Sequence, residues 1–306
     1  MTGTSPTLDS VTTDDGVRLY CEVWGSGANT LIVPNGICYM DEFRRFAQGR
    51  TVVAYDVRNR GRSDTLTDPA KLERGILNDV DDLDAVRRHF GAERIDLIGH
   101  SYIGVMVVLY AMHYPRHVSR LVQIGPAPPH ADTRYPAHLA WADATMEEFI
   151  RKSTELRQQM TAQDDPVEIC RKFWELLRVL SVFDAKDAAK IDWIRCELPN
   201  ERSFMMYWIQ RIVPSLQKLR FTAEDFAKVT APVLTVHGNR DRNAPYGGGR
   251  EWAMHLPDAR LLTVPDTAHA PWVEAPEKVL EPIEAFFDGR WPELAEKVTA
   301  LDPQAA

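Results

Sequence analysis

The chain has 306 residues, of which 44% are hydrophobic and 26% are charged, and its formal net charge is −8. This composition is typical of a globular protein with a large apolar core, and the length allows one large domain with an insertion. The acidic balance argues against nucleic acid and anionic membranes as partners, because both bind clusters of Lys and Arg. We therefore expect a globular protein whose partner is a small molecule.

The ends and the cysteines of the chain indicate a cellular location. The first 16 residues are polar and lack the apolar stretch of a signal peptide, and the longest apolar run, residues 103–112, is too short to cross a membrane. The four cysteines are Cys21, Cys38, Cys170 and Cys196. They lack the spacing of a metal site, and a chain of this size does not need disulfide bonds. We predict reduced cysteines and a cytoplasmic protein without a metal or an organic cofactor.

The strands are predicted from two patterns. Residues 10–13 and 17–24 show the alternation of an antiparallel edge pair. Later runs are short and continuously apolar, as in strands that are buried on both faces of a parallel sheet. These runs are 30–33, 51–55, 95–98, 118–124, 233–237 and 259–264.

Helical patterns separate these strands. The clearest are 79–90, which is followed by Gly91, and 276–287, which begins with Pro276. The alternation of strands and helices predicts an α/β fold with a mostly parallel central sheet and helices on both faces.

The alternation stops between about residues 126 and 231, where the pattern is helical and no strand is predicted. We predict an inserted helical cap at residues 129–228, with the core formed by residues 1–128 and 229–306. The cap is rich in aromatic and methionine side chains, most of which we expect to pack against the core. Its densest stretch, 203–212, supplies three candidate pocket residues, which are Met205, Tyr207 and Trp208.

One serine lies on a sharp turn between an apolar strand and an apolar helix. The segment is Ile95-Asp-Leu-Ile-Gly-His-Ser-Tyr-Ile-Gly104. Such a turn lifts the hydroxyl of Ser101 from the backbone and points the first amides of the helix at the reacting group. A serine needs these donors and a nearby base to act as a nucleophile at neutral pH. Ser101 is therefore the candidate nucleophile.

A candidate acid and a candidate base follow two later strands. Asp241 lies in the loop Gly-Asn-Arg-Asp after one of them, and His269 lies in the loop after the last strand. A carboxylate can hold a histidine in the tautomer that removes the proton of a serine. Asp132 is an alternative acid, which we rank below Asp241. The predicted catalytic residues are therefore Ser101, Asp241 and His269.

The order serine, acid, histidine, with each residue just after a strand, resembles the α/β-hydrolase superfamily. Two further segments resemble it, residues 31–39, in which the family builds half of its oxyanion hole, and residues 55–64. The resemblance extends from about residue 10 to about residue 288, apart from the insertion. It implies an oxyanion hole made of the backbone N–H groups of Ile37 and Tyr102. Asn35 and Cys38, in the first of these loops, are further candidate pocket residues.

Two positions depart from the family pattern. The usual turn is G-x-S-x-G, and Ile103 occupies its second glycine position, with Gly104 beside it. Small residues are favoured there because strand and helix approach closely, so we expect a slightly altered turn. Asn35 stands where many relatives have histidine, and we expect this change to affect the pocket lining but not the backbone donor.

The predicted activity is hydrolysis of a small or medium, partly apolar carboxylic ester, thioester or lactone through an acyl-enzyme, because an apolar cap favours such a substrate. Proline iminopeptidases offer a second similarity. Those enzymes hold the substrate amine with cap carboxylates, for which Asp192, Glu197 and Glu201 are candidates here. The same fold also supports lyases and ligand receptors, so both stay open, as does the oligomeric state.

Overall fold

The computed structural model describes residues 5–160, 164–193, 195–302 and 304. Its central sheet has eight strands, which are β1 (Thr7–Thr12), β2 (Arg18–Trp24), β3 (Thr30–Pro34), β4 (Thr51–Tyr55), β5 (Ile95–His100), β6 (Val118–Ile124), β7 (Val233–Gly238) and β8 (Ala259–Val264). Their order across the sheet is β1-β2-β4-β3-β5-β6-β7-β8. The pairs β1/β2 and β2/β4 are antiparallel, and the other neighbours are parallel. The predicted mostly parallel sheet is confirmed.

The described helices are α1 (Gly36–Phe43), α2 (Ile76–His89), α3 (Tyr102–His113), α4 (Ala137–Ala140), α5 (Ala144–Gln159), α6 (Pro166–Leu180), α7 (Pro199–Tyr207), α8 (Val213–Gln217), α9 (Ala223–Ala227), α10 (Tyr246–His255), α11 (Pro271–Glu274) and α12 (Pro276–Phe287). Helix α12 has the predicted bounds. Helix α2 begins three residues earlier than predicted, directly after Gly75, which has a φ of 55° that few other residues adopt.

Apolar helices cover both faces of the sheet. Neighbouring residues of a strand point to opposite faces, so Ile32 belongs to the core cluster that contains α2, α3 and α10, whereas Leu31 belongs to the cluster that contains α1 and α12. Helix α3 is buried from Tyr102 to Met112. Because the parallel strands end at one edge of the sheet, the loops that follow β5, β7 and β8 meet at that edge. This brings together the segments that contain the predicted catalytic residues.

Helices α4 to α9 lie between β6 and β7, and the described residues of this segment contain no strand. The predicted helical cap is therefore present, and its cysteines correct another prediction. Cys170 on α6 and Cys196 ahead of α7 form a disulfide bond, with Cα atoms 5.9 Å apart, whereas Cys21 and Cys38 are free and buried. The prediction of four reduced cysteines is wrong for this pair, and the argument that it supplied for a cytoplasmic location does not hold.

Within the described ranges, no helix is both long enough and apolar enough to span a lipid bilayer. The domain boundaries at residues 128/129 and 228/229 stay predictions.

Candidate active site

Ser101 lies between the end of β5 and the start of α3, on a strained turn. Its φ is 59° and its ψ is −127°, a combination that residues other than glycine rarely adopt. The Ser101 N–H donates to the carbonyl of Ile124 at 2.9 Å, and the Gly104 N–H donates to the carbonyl of Ser101 at 3.0 Å. These bonds hold a backbone that is unfavourable by itself, as expected for a functional turn.

Two glycines explain how the turn accommodates Ile103. A Cβ on Gly99 would lie 2.5 Å from the carbonyl oxygen of Ile103, and a Cβ on Gly104 would lie 3.2 Å from the Cβ of Pro126. Strand and helix therefore approach each other at these two positions. The Ile103 side chain is fully buried in the apolar core that contains α2 and α3.

The predicted acid and base are in direct contact. Nδ1 of His269 is 2.8 Å from Oδ2 of Asp241, and both side chains are buried. The backbone amides of Asn243 and Ala244 donate to the other oxygen of Asp241, at 2.8 and 2.9 Å. Asp132, the alternative acid, is exposed. Ser101 and His269 border the same cavity, so the structure brings all three predicted residues to one site.

A second histidine, which the sequence analysis did not assign to the site, also contacts the acid. Nε2 of the fully buried His237 lies 3.1 Å from Oδ2 of Asp241 and 3.1 Å from the carbonyl oxygen of Ala244. A carbonyl only accepts, so Nε2 carries the hydrogen. Burial opposes ionisation of Asp241, but His269 and His237 outweigh it and hold the pKa of this carboxyl below its ordinary value. The spacing of four residues between His237 and Asp241 was the available signal.

The backbone of the histidine loop is fixed from two sides. Nε2 of His100 donates to the carbonyl of His269 at 2.8 Å, so its Nδ1 accepts from the Tyr39 hydroxyl at 3.0 Å. Burial, followed by the charge of His269, lowers the pKa of His100 well below its ordinary value. Glu274 accepts hydrogen bonds from the backbone amide of Ala268 at 2.7 Å and from that of Phe183, in the cap, at 2.8 Å. The loop is thus tied to both the core and the cap.

The predicted oxyanion hole is only partly available. Tyr102 occupies the first position of α3, where an N–H has no acceptor within the helix. The N–H of Ile37, by contrast, donates to Oδ1 of Asp56 at 2.8 Å, so the prediction that it is a free donor is wrong. The physical reason is that α1 begins at Gly36, directly after the left-handed Asn35, and turns this amide toward the carboxylate that follows β4.

A cavity of about 290 Å³ extends from Ser101 and His269 to the cap. Its cap wall is mostly aromatic and aliphatic, with Phe149, Phe173, Trp174, Leu177 and Phe204 among its residues.

The predicted pocket residues fall into two groups. Cys38, Met205 and Trp208 border the cavity, but Asn35 and Tyr207 do not. Tyr207 packs on the core that contains α2 and α3, because it lies on a different side of α7 from Met205. Asn35 is buried in the turn ahead of α1. The prediction that these two residues line the cavity is wrong.

A buried ion pair, which the sequence analysis did not identify, has its cation, Arg60, at the same cavity. Nε of Arg60 donates to Oε1 of Glu201 at 3.1 Å, and Nη2 donates to Oε2 at 3.3 Å. Nη2 also lies 3.3 Å from Sγ of Cys38. Burial raises the pKa of the Cys38 thiol to about 12, so this group is not a thiolate at neutral pH. The other two cap carboxylates, Asp192 and Glu197, are exposed and lie outside the cavity lining.

No group of three or more His, Cys, Asp and Glu side chains suited to a metal ion occurs in the part of the chain that the structure describes.

Similarity to known proteins identifies the family of this chain. The family model for the alpha/beta hydrolase fold matches residues 29–276, and the chain therefore belongs to the α/β-hydrolase fold family. The chain is 24% identical over 262 residues to the proline iminopeptidase PfmaB of Pestalotiopsis fici. This alignment covers 82% of this chain and 87% of that protein. The chain is also 26% identical over 293 residues to the rhodomycin D methylesterase DnrP of Streptomyces peucetius. This alignment covers 89% of this chain and 94% of that protein.

A solved structure, an esterase from Exiguobacterium antarcticum, shares the fold with a TM-score of 0.63 at 18% identity, over 92% of this chain and 100% of that one.

Proposed function

We propose that this protein is a serine hydrolase that cleaves a small or medium, partly apolar carboxylic ester, thioester or lactone. One observation carries the proposal. His269, which is hydrogen-bonded to the buried Asp241, borders the same cavity as Ser101, and the cap wall of this cavity is mostly apolar. Such an arrangement activates a serine, and a cavity of this character binds a largely uncharged substrate.

The proposed reaction begins at the histidine. Because Nδ1 of His269 donates to Asp241, its Nε2 is the atom that accepts the proton of Ser101 as the hydroxyl attacks the carbonyl carbon. The Tyr102 amide, at the N-terminus of α3, stabilises the negative charge that develops on the carbonyl oxygen. Expulsion of the alcohol leaves an acyl-enzyme, and water activated by the same histidine releases the acid.

The cap carboxylates separate this proposal from an aminopeptidase. An enzyme that holds a substrate amine needs a carboxylate facing the substrate. Among the described residues, no Asp or Glu borders the cavity, and Glu201 is engaged by Arg60 and by the Gly61 amide. The similarity to an iminopeptidase therefore supports the fold and the hydrolytic chemistry more than the amine specificity. The similarity to a methylesterase favours an ester as the substrate.

The test is hydrolysis of p-nitrophenyl acetate and butyrate, with the initial burst followed as well as the steady rate. We expect turnover in the wild type and its loss in Ser101→Ala and His269→Ala. Two matched controls should keep full activity. Ser119→Ala lies at the start of β6, at the other end of the sheet from the catalytic loops, and His113→Ala lies at the exposed end of α3. Stoichiometric binding of these esters without turnover in a folded wild type would instead favour a receptor or a lyase.

A further inference from the structure

The first observation concerns the charges around the catalytic cavity. Two arginines, Arg60 and Arg157, border it, and no Asp or Glu does so among the described residues. Arg60 is buried, and Glu201 balances its charge by accepting hydrogen bonds from Nε and Nη2. Arg157 forms no ion pair with any carboxylate in the described part of the chain. The charge of Arg157 is therefore the one at this cavity that no carboxylate of the described residues balances.

The second observation concerns the position of Arg157 at the mouth of the cavity. The lining residues that are exposed to solvent are Arg157, Ile209 and Asn243, so the cavity opens to solvent beside them. The aromatic residues of the cap wall are buried or half-buried. A ligand in the cavity thus has an apolar wall around its body and a cation beside the part that faces solvent.

The third observation concerns the direction of the Arg157 side chain. Phe149, Ser153 and Arg157 of α5 all border the cavity, because residues four apart lie on one face of a helix. Nε of Arg157 donates to the carbonyl of Ser153 at 3.2 Å, so the side chain runs back over the preceding turn of this face. Its Nη1 and Nη2 make no hydrogen bond to a described residue. These two nitrogens are exposed donors that a ligand can reach from the cavity mouth.

We propose that Arg157 binds a carboxylate of the substrate, and that the substrate class is an ester with an apolar chain and a carboxylate at its far end. This inference rests on the proposed function, in which Ser101 attacks the ester carbonyl inside the cavity. Nη1 and Nη2 of an arginine match the two oxygens of a carboxylate. Because Arg157 is exposed, the carboxylate keeps part of its hydration and its binding costs little desolvation.

The size of the effect follows from the exposure of Arg157. We expect about a fivefold preference for the charged ester, which is the upper end for an exposed ion pair. The protein as a whole opposes this preference, because its formal net charge of −8 repels an anion. A preference for the anion must therefore come from a local cation, and salt should screen it.

Two variants test the role of Arg157. Arg157→Gln removes the charge and keeps a polar side chain on the same face of α5. Arg151→Gln is the matched control, because Arg151 is an exposed arginine of the same helix that does not border the cavity. Both substitutions change the net charge of the protein by the same amount. Arg151 pairs with Glu155 at the surface, and the loss of such a pair hardly affects stability.

The measurement is binding, made in the Ser101→Ala background so that no ester is consumed. Tryptophan fluorescence reports occupancy, because Trp174, Trp193 and Trp208 border the cavity. The ligands are the monomethyl esters of succinic, adipic and suberic acid, which differ in chain length. Each is compared with its dimethyl ester, which has nearly the same shape without the charge. At about pH 7 the free carboxyl of each monomethyl ester is ionised.

At least one monomethyl ester should bind about fivefold more tightly than its dimethyl counterpart in about 10 mM salt, and the ratio should approach one in about 1 M salt. The ratio should also approach one in Arg157→Gln and persist in Arg151→Gln. Thermal unfolding confirms that each variant is folded. Equal affinity within every pair of esters, a preference that survives Arg157→Gln, or no saturable binding of any ester would overturn the proposal.

The two proposals can fail separately. A wild type that hydrolyses p-nitrophenyl esters but shows no preference for the charged ligands would contradict the role of Arg157 alone. A protein that binds with this preference but hydrolyses no ester would contradict the proposed function and leave the carboxylate site standing.

Discussion

His237 gives a prediction whose size follows from the structure. Asp241 accepts four hydrogen bonds, one each from His269, His237, Asn243 and Ala244. His237→Phe removes one of them and leaves a ring of similar size. A hydrogen bond to a charged group contributes about 1.5 to 3 kcal/mol, and both His237 and Asp241 are fully buried. We expect the free energy of unfolding to fall by about that amount.

The same substitution should lower kcat/KM by about tenfold, because a factor of ten corresponds to about 1.4 kcal/mol and the carboxylate that orients His269 loses a support. The assay is p-nitrophenyl butyrate hydrolysis together with urea unfolding. His237→Gln is the matched control, since its amide can donate from nearly the position of Nε2, and it should recover most of the loss. Wild-type activity in His237→Phe, or equal losses in both variants, would refute the role given to this hydrogen bond.

Three further predictions follow from other contacts. Gly249→Ala should lower activity as His237→Phe does, because the added Cβ would lie 2.2 Å from Nδ1 of His237; unchanged activity and stability would show that His237 can move freely. Alkylation after denaturation should label only Cys21 and Cys38 until a reductant is added, and four labelled thiols without a reductant would contradict the disulfide. Cys170→Ser should lower the free energy of unfolding by about 3 kcal/mol, because the bond closes a loop between residues 26 positions apart. Because the pKa of Asp241 lies below its ordinary value of 3.8, this carboxyl stays ionised above about pH 4. The pH profile of kcat/KM should therefore contain no step from Asp241 above about pH 4, and two acidic steps above that pH would argue against its role as the ionised acid.

The sequence was sufficient for the features that depend on local pattern. Strands β4, β6 and β8 have their predicted bounds, because a continuously apolar run between turns specifies a strand buried on both faces. The candidate triad followed from the same pattern. A parallel sheet brings the loops at one edge together, so the positions of Ser101, Asp241 and His269 after their strands were enough to predict their proximity.

The features that the sequence did not reveal depend on contacts between distant segments. The disulfide partners are 26 residues apart, and no spacing rule for cysteines indicates that α6 lies beside the segment ahead of α7. The Ile37 amide depends on where α1 begins relative to Asp56, which is 19 residues away in sequence. The pairing of Arg60 with Glu201 joins the core to the cap across 141 residues. Side-chain direction on α7, which separates Tyr207 from Met205, depends on how the cap packs.

The central claim is that Ser101 forms an acyl-enzyme, and the most direct test is the mass of the protein during turnover. Wild-type protein mixed with p-nitrophenyl butyrate and quenched in acid within the burst should gain the mass of one butyryl group, and peptide mapping should locate it on Ser101. His269→Ala should show little of this adduct, because the serine then lacks its base. An adduct on another residue, or steady turnover without any adduct in the wild type, would contradict the mechanism.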